Sequence, residues 1–306
     1  MIEVIYVIDF TGLPQEEQNY GGARGKKLKI TYNDKKYMLK FPATFKSDNK
    51  KKYMNSCISE YIGCHVYDII GIPVQETILG NYTNEKGKEY VVVACGDLTS
   101  DNRHLITFAS LKNELTSSES DGHGKELSDI LNTFSNQNII DERELKNRFW
   151  DMFIVDALIR NADRHNDNWG IIYDSKLEEV SLSPVFDCGA CLSPKISPER
   201  MKKLLDDVLE DDMKLQMNSK ACIRIGGEKI NYFNFISSLD NQDCNEALKR
   251  IVPRIDIDKI NEIIDDIPCI TELQNEFYKK VIEKRKEHIL DFSLEKLLKS
   301  GNENVG

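Results

Sequence analysis

Residues 161–170 read NADRHNDNWG, and they follow directly on the segment of the chain with the strongest helical pattern, residues 141–161. Apolar residues in that segment recur at helical spacing and occupy nearly every face, which predicts a central, buried helix. A loop that leaves such a helix crowded with Asp, Asn and His cannot be satisfied by apolar packing. We therefore expect this stretch to form a functional site, with the helix before it as its support.

A second polar motif, VFDCG at residues 185–189, completes a pattern that suits phosphoryl transfer. That chemistry needs a carboxylate near the attacking hydroxyl, together with an amide oxygen and a second carboxylate that hold Mg²⁺. Asp163 and Asn168 have the D-x-x-x-x-N spacing of a kinase catalytic loop, and Asp187 with Gly189 matches a metal-binding D-x-G. Hard oxygen ligands of this number suit Mg²⁺ or Mn²⁺. The alternative is a polar turn that caps the following strand.

The first third of the chain offers candidate nucleotide-binding residues. Residues 20–27 read YGGARGKK between two predicted strands, where Gly21, Gly22 and Gly25 would let backbone N–H groups approach phosphates. A glycine-rich hairpin turn explains the same pattern. Lys40 lies on a strand whose alternation can point it into a cleft, and Glu60 lies on the one helix predicted nearby. Such a pair orients phosphates in protein kinases, although either residue could equally be a solvated surface residue.

The distribution of strand and helix patterns predicts an α+β fold with two lobes. Residues 1–98 read mostly as strands around one helix, and residues 99–306 read mostly as helices, with a polar loop at residues 116–124 that we expect to be mobile. A strand-rich N-lobe joined to a larger helical C-lobe implies a cleft between them, where small molecules bind.

Composition limits the classes of function. The chain has 306 residues with 51 Asp+Glu against 41 Lys+Arg, a formal net charge of −10, which argues against a nucleic-acid binder that acts by phosphate neutralisation. No apolar run is long enough for a membrane span, and the N-terminus lacks the features of a signal peptide, so we expect a cytoplasmic protein. The eight cysteines read as reduced thiols, and Cys188 and Cys191 have no partners with the spacing of a zinc site.

Taken together, the motifs resemble those of the HipA-like serine/threonine kinases. The likeness extends over most of the chain, and its most specific parts are NADRHNDNWG and PVFDCG. It is also carried by YGGARGKK, YMLKFP, SEYIGCHV, VVVACGDLT, FWDMFIVDALIR, INYFNF and IVPRIDIDKI. The resemblance implies a two-lobed kinase fold related to that of the phosphatidylinositol kinases, with ATP and Mg²⁺, or Mn²⁺, as cofactors.

The resemblance also implies a role for each candidate residue. Asp163 would be the catalytic base, and His165 would steady the transferring phosphoryl group or share the base role. Asn168 and Asp187 would bind the metal. The implied nucleotide contacts are Gly21, Gly22, Gly25, Lys27 and Lys40 at the phosphates, Glu60 as the residue that orients Lys40, and the segment of Cys95 and Asp97 at the adenine.

Three functions remain open at this point. The first is a serine/threonine protein kinase that also phosphorylates itself. The second is a phosphoinositide-type lipid kinase, which needs cationic residues after Asp187 for an anionic headgroup. Here Lys195, Arg200, Lys202 and Lys203 are followed by the acidic residues 206–212, which favours a protein substrate. The third is a pseudokinase or binding module, which uses the fold to present a surface. Against it, the four residues whose loss would indicate an inactive kinase are all present: Lys40, Asp163, Asn168 and Asp187. No DNA-binding element is recognisable, and export from the cell is implied by the resemblance alone.

Overall fold

The computed structural model describes residues 8–16, 27–47, 50–116, 122–206 and 218–303, so the predicted contacts of Gly21, Gly22 and Gly25 lie outside the described residues. Its strands are β1 (Ile8–Asp9), β2 (Gln15–Glu16), β3 (Lys27–Tyr32), β4 (Lys35–Lys40), β5 (Thr44–Ser47), β6 (Lys50–Tyr53), β7 (Thr77–Thr83), β8 (Glu89–Gly96), β9 (Arg103–Thr107), β10 (Gly170–Asp174), β11 (Glu179–Leu182), β12 (Lys220–Ile225) and β13 (Glu228–Asn231). Its helices are α1 (Ser56–Ile70), α2 (Phe108–Thr116), α3 (Leu127–Asn136), α4 (Glu142–Leu158), α5 (Pro198–Asp206), α6 (Tyr232–Ser238), α7 (Gln242–Ile251), α8 (Ile257–Asp265), α9 (Glu272–Arg285) and α10 (Phe292–Glu303). A 3-10 turn spans Val252–Arg254, and a π-helical turn at Lys286–Asp291 joins α9 to α10.

A six-stranded sheet in the order β1-β7-β8-β4-β3-β2 forms the N-terminal part. Its β3–β4 hairpin closes through Asn33 and Asp34, which both have positive φ, as a type I′ turn requires. Along β4 the side chains alternate, so Tyr37 and Leu39 enter the small apolar core of this sheet while Lys40 points to the opposite face. The predicted strand alternation therefore gives the correct side for Lys40.

Helix α1 connects this sheet to the rest of the molecule. Its apolar residues Ile58, Ile62 and Val66 lie in the large core that α4 and the C-terminal helices share. The helix ends at Gly71, whose φ of 80° places it in the left-handed region and lets its N–H bond to the carbonyl of Asp68. The one helix predicted among the strands of residues 1–98 is thus confirmed, and it packs against the C-terminal part as much as against the sheet.

Helix α4 is the centre of that large core, as its sequence predicts. Asp141 caps its N-terminus by accepting a hydrogen bond of 2.9 Å from the N–H of Glu144. Trp150, Phe153 and Ile154 are among its buried side chains. The first half of the helix carries charged residues, whereas residues 152–158 are all buried, so neighbours cover that second half on every side. The helix ends at Leu158, shortly before the polar loop.

The two polar motifs flank a second, three-stranded sheet in the order β11-β10-β9. Residues 161–169 lie between α4 and β10, and the VFDCG motif follows β11. Val185 exchanges backbone hydrogen bonds of 2.8 Å with Pro73 and Gln75, the segment that leads from α1 back to the first sheet. This pairing brings the second motif to the point where the two sheets approach each other. The lobe boundary at residue 98 remains a proposal; β8 ends at Gly96, and β9 joins the second sheet.

Across the described ranges, no helix combines the length and apolar character that a transmembrane segment needs.

Candidate active site

Lys40 lies between two carboxylates that come from different parts of the chain. Its Nζ is 3.2 Å from Oε2 of Glu60 on α1 and 3.3 Å from Oδ1 of Asp187 in the VFDCG motif. The Glu60 side chain is 2% exposed and that of Lys40 is 15% exposed, whereas the Asp187 side chain is 48% exposed. The structure therefore brings these three predicted residues together, with only Asp187 open to an incoming ligand.

The charges of this triad control one another. Burial alone would lower the pKa of Lys40, but the carboxylates of Glu60 and Asp187 hold it well above its usual value. In turn, Lys40 lowers the pKa of Asp187 against the opposing effect of burial. Lys40 is therefore a cation and Asp187 a carboxylate at physiological pH. A phosphate and a divalent cation need these charge states.

Glu60 also binds the backbone of the second motif, which explains the glycine there. Its Oε1 accepts a hydrogen bond of 3.1 Å from the N–H of Cys188. A Cβ on Gly189 would lie 2.9 Å from Oε2 of Glu60 and 3.3 Å from the carbonyl oxygen of Ser56. Any larger side chain at position 189 would push Glu60 away from Lys40, so the small residue keeps the ion pair in place.

The loop at residues 161–168 is held by hydrogen bonds within itself. Asn161 Oδ1 accepts from the N–H of Asp163 at 3.1 Å, and the Asp163 carbonyl accepts from Asn168 Nδ2 at 2.8 Å. Because the amide nitrogen of Asn168 is used in this way, its oxygen faces away from the Asp163 carbonyl. Asp163 itself is half-buried. These hydrogen bonds hold the backbone of Asp163 without the help of a ligand.

Arg164, for which the sequence reasoning gave no role, joins the two motifs. Its guanidinium group donates to the carbonyl oxygens of Asn168, at 2.9 Å, and of Phe186. It also donates to both carboxylate oxygens of Asp156, at 3.0 and 3.3 Å. A single buried arginine therefore connects the loop that carries Asp163 to the loop that carries Asp187, and anchors both on α4.

Asp156, which is 1% exposed, accepts most of the hydrogen bonds of this network. Besides Arg164, it accepts from the hydroxyl of Tyr67 at 2.8 Å and from Asn161 Nδ2 at 3.0 Å. Although burial would lower the pKa of Arg164, the carboxylate of Asp156 holds that pKa well above its usual value, so the guanidinium group remains charged. The sequence signal that could have revealed this network is a carboxylate among the apolar residues 152–158, because a buried carboxylate requires a buried partner.

His165 faces a carboxylate that it shares with a second histidine. Its Nδ1 is 3.3 Å from Oδ2 of Asp167, and Nδ1 of His123 is 2.9 Å from the same oxygen. The neighbouring Asn166 donates to the carbonyls of Gly122 and Gly124 at 2.8 and 2.9 Å. Residues 122–124, which the sequence predicts to be mobile, are therefore hydrogen-bonded to the loop of Asp163, and the prediction is wrong for them. Residues 117–121 lie outside the described part of the chain.

Lys27 stands beside the triad on the neighbouring strand, where it pairs with Lys40 in the β3–β4 register. Burial and the charge of Lys40 lower its pKa, while Asp187 and Glu60 oppose this effect. Its position agrees with a second cation at a phosphate site.

The side chains of Cys95 and Asp97 do not face a ligand cleft. Cys95 is fully buried, packs with Cys57 and Val93, and has a pKa raised well above its usual value by burial. Asp97 Oδ1 accepts from the N–H and the hydroxyl of Thr99 at 2.9 and 2.6 Å, and its Oδ2 is 3.6 Å from Lys29 Nζ. Contact of this segment with a base would accordingly involve its backbone.

The donor set fits Mg²⁺ that arrives with a nucleotide. Asn168 and Asp187, which the sequence predicts as metal ligands, would supply one amide and one carboxylate oxygen, and Mg²⁺ usually takes one or two protein ligands together with phosphates and waters. Within the described residues, no group of three His, Cys, Asp or Glu side chains could hold a metal ion by itself. The thiols of Cys188 and Cys191 are instead buried, with Cys191 donating to the carbonyl of Ser59 at 3.0 Å.

Comparisons with known proteins agree with this geometry. Residues 19–266 match the HipA-like C-terminal domain. The chain is 39% identical to the serine/threonine-protein kinase CtkA of Helicobacter pylori (strain J99) over 286 residues, which are 93% of this chain and 86% of the relative. The crystal structure of a Helicobacter pylori proinflammatory kinase CtkA has a TM-score of 0.88 at 38% identity, covering 96% of this chain and 98% of that one.

A more distant structure has the same fold. HipA in its complex with HipB and operator DNA from Shewanella oneidensis gives a TM-score of 0.57 at 16% identity, covering 92% of this chain and 69% of that chain. These matches confirm the predicted α+β, two-lobed kinase-like fold. The chain therefore belongs to the family of HipA-like C-terminal domains.

Proposed function

We propose that this protein is a serine/threonine protein kinase that transfers the γ-phosphoryl group of ATP to a protein hydroxyl with the help of Mg²⁺. The observation that carries the proposal is Lys40 held between Glu60 and Asp187, because a buried cation next to a half-exposed carboxylate provides both a phosphate contact and a metal ligand. The similarity to a relative named serine/threonine-protein kinase supports the same activity.

Each residue then has a chemical task. Asp163 accepts the proton of the attacking hydroxyl, and its backbone is fixed by Asn161 and Asn168 so that the carboxylate keeps its position. Lys40 and Lys27 contact the phosphates. Asn168 and Asp187 hold Mg²⁺, which when bound neutralises charge on the phosphate oxygens. His165 lies two residues from the base and steadies the transferring group.

We expect protein substrates rather than lipids or nucleic acids, and we expect the enzyme to phosphorylate itself. The cationic residues of the segment after Asp187 are outnumbered by the acidic residues 206–212, and the whole chain carries a net charge of −10. An anionic headgroup or a phosphate backbone would be repelled by this balance.

The test is phosphate incorporation from labelled ATP with Mg²⁺ into the enzyme and into a generic basic protein. We expect label with the wild type and a loss of at least about 1,000-fold with Asp163→Asn or Asp187→Asn, since each removes part of the transfer machinery. Asp240→Asn is the matched control, because this aspartate is exposed in the turn between α6 and α7 and should leave the rate unchanged.

Two further results would contradict the proposal. Label on protein that persists in both variants would mean that another residue is the base or that a contaminant is active. Absence of label on protein, combined with label on phosphoinositide vesicles, would show a lipid kinase instead. A thermal shift with Mg·ATP reports nucleotide binding independently of transfer, since a ligand of the native state raises the melting temperature.

A further inference from the structure

Arg160 is a largely buried guanidinium group whose charge has no counter-ion in the described structure. It follows α4, has a φ of 56°, and donates from its terminal nitrogen to the Ser193 hydroxyl at 2.5 Å. Its Nε is buried without a hydrogen-bond partner, and burial lowers the pKa of the group. No carboxylate of the described ranges lies within ion-pair distance of it. Such a group is costly to bury unless an anion is supplied.

A second arginine adds to the positive potential at this place. Arg285 on α9 is 1% exposed and donates to the carbonyl of Ala157 at 2.6 Å and to Ser219 Oγ at 2.8 Å. Burial, and after it the charge of Arg160, lower the pKa of Arg285 to about 9. Because Arg285 binds the backbone carbonyl three residues before Arg160, an anion at Arg160 would offset positive charge near both groups.

Ser193 is placed to carry that anion. It is partly exposed, and it follows the VFDCG motif in a segment where Leu192 and Ser193 have φ values of 52° and 58°. The Leu192 N–H bonds to the carbonyl of Ile159 at 2.9 Å, and the Pro194 carbonyl accepts from the N–H of Asn55 at 2.8 Å. This strained segment therefore connects the end of α4 with the start of α1, and backbone strain of this kind concentrates at switch regions.

We propose that Ser193 is a phosphorylation site and that Arg160 binds the phosphate. The proposal rests on the proposed function for its donor, which is ATP: the Ser193 Oγ–P bond forms, the bond between the γ-phosphorus and the bridging oxygen breaks to leave ADP, and the hydroxyl proton passes to the Asp163 carboxylate of a second copy. The phosphate oxygens then accept from the terminal nitrogens of the Arg160 guanidinium group.

Phosphorylation at this place would stiffen the active site. Arg160 is adjacent to Asn161, whose side chain accepts from the N–H of Asp163, and Ser193 belongs to the segment that continues from Asp187. A charge-assisted bond between positions 160 and 193 therefore fixes the loop of the base and the segment of the metal ligand relative to each other. We expect a higher transfer rate from the phosphorylated form.

The first experiment is a thermal cycle that does not depend on activity. Phosphoserine is incorporated at position 193 by an expanded genetic code, in the wild type and in Arg160→Gln. We expect the phosphate to raise the melting temperature by about 2–4 °C with Arg160 present and not at all in Arg160→Gln. An equal rise in both backgrounds, or a fall in the wild type, would overturn the proposal. The proposal would also be overturned if inorganic phosphate raised the melting temperature of Ser193→Ala as much as phosphoserine raises that of the wild type, since the site would then bind free anions.

The second experiment asks whether the serine is modified. The enzyme is incubated with Mg·ATP and its peptides are analysed by mass spectrometry, with Asp163→Asn as the control. Phosphate on Ser193 in the wild type and none in the control supports the proposal. Transfer to a carrier protein with an unmodified Ser193 would overturn it and leave the proposed function standing. Absence of any transfer would count against the proposed function. In that case the melting-temperature experiment by itself would show whether Arg160 binds a phosphate on Ser193.

Discussion

Replacing Glu60 by glutamine removes one charge from the Lys40 ion pair and keeps the shape of the side chain. The carboxylate has two tasks, since Oε2 lies 3.2 Å from Lys40 Nζ and Oε1 accepts from the N–H of Cys188 at 3.1 Å. A glutamine has a single oxygen, so it can accept from only one of these donors, and its NH₂ group must face the other.

The cost follows from the burial of the pair. Removing one partner of a buried ion pair costs about 3–5 kcal/mol, and Lys40 keeps Asp187 at 3.3 Å, so we expect Glu60→Gln to lower the free energy of unfolding by about 3 kcal/mol. Adding Lys40→Met removes the orphaned charge and should restore about 2 kcal/mol of this loss, because Asp187 is half exposed and can be hydrated.

The effect should also be independent of pH near neutrality. The pKa of Lys40 is raised in the folded state, so its contribution is complete below the ordinary value of 10.5 and is lost only as the pH rises through the folded pKa. We therefore expect the same loss of stability from Glu60→Gln at pH 6 and at pH 8.

The assay is urea unfolding with linear extrapolation of the free energy. The matched control is Glu246→Gln, the same change in a surface pair with Lys249 whose side chains are 54% and 45% exposed, and it should cost less than about 0.5 kcal/mol. The reasoning is refuted if the two substitutions cost the same, or if Lys40→Met makes the Glu60→Gln protein less stable still.

Three further changes test other parts of the site. In Arg164→Lys the lysine side chain cannot span both loops. We therefore expect kcat, measured by transfer from labelled ATP, to fall by at least about 100-fold, and the free energy of unfolding in urea to fall by about 3 kcal/mol. A change of less than threefold in kcat would contradict the role of Arg164. Gly122→Ala places a Cβ 1.9 Å from the Ala109 carbonyl oxygen and should lower the free energy of unfolding by roughly 3 kcal/mol in the same assay. The control is Gly87→Ala, where φ is also positive but the surrounding space is open, and it should lower the free energy of unfolding by about 1 kcal/mol. Equal losses would argue against the close contact at Gly122. Lys40 lowers the pKa of Asp187, so this carboxylate stabilises the fold above its ordinary pKa of 3.8 and loses that effect as the pH falls through the lower folded pKa. Asp187→Asn should therefore make the free energy of unfolding depend less on pH at acidic pH. An unchanged dependence would contradict the ion pair of Asp187 with Lys40.

Much of the local structure was predictable from the sequence because its signals are local. The alternation in β4 gave the side of Lys40, and the apolar pattern of residues 141–161 gave the buried helix. The spacing of Asp163, Asn168 and Asp187 identified the two loops. The first two inferences use residues a few positions apart, where strand and helix geometry fix the relation between side chains. The third uses two short motifs, each of which is local in the sequence.

Other features had no local signal. The role of Arg164 depends on carbonyl groups of two loops, and carbonyls carry no sequence information. The burial of the Cys95 side chain depends on the packing of β8 against α1, which alternation in one strand does not reveal. The attachment of residues 122–124 to Asn166 likewise joins two segments that look like independent polar loops in the sequence.

The sequence by itself determined the α+β class, the buried helix and the identity of the candidate base and metal ligands, since periodicity and motif spacing are properties of neighbouring residues. Only the tertiary structure decided that Lys40 meets Asp187, 147 residues away, and that Glu60, besides its expected pairing with Lys40, binds the backbone at Cys188. Contacts of this kind depend on how α1 packs between the sheet and the large core. The sum of many apolar contacts fixes that packing, and no single motif encodes it.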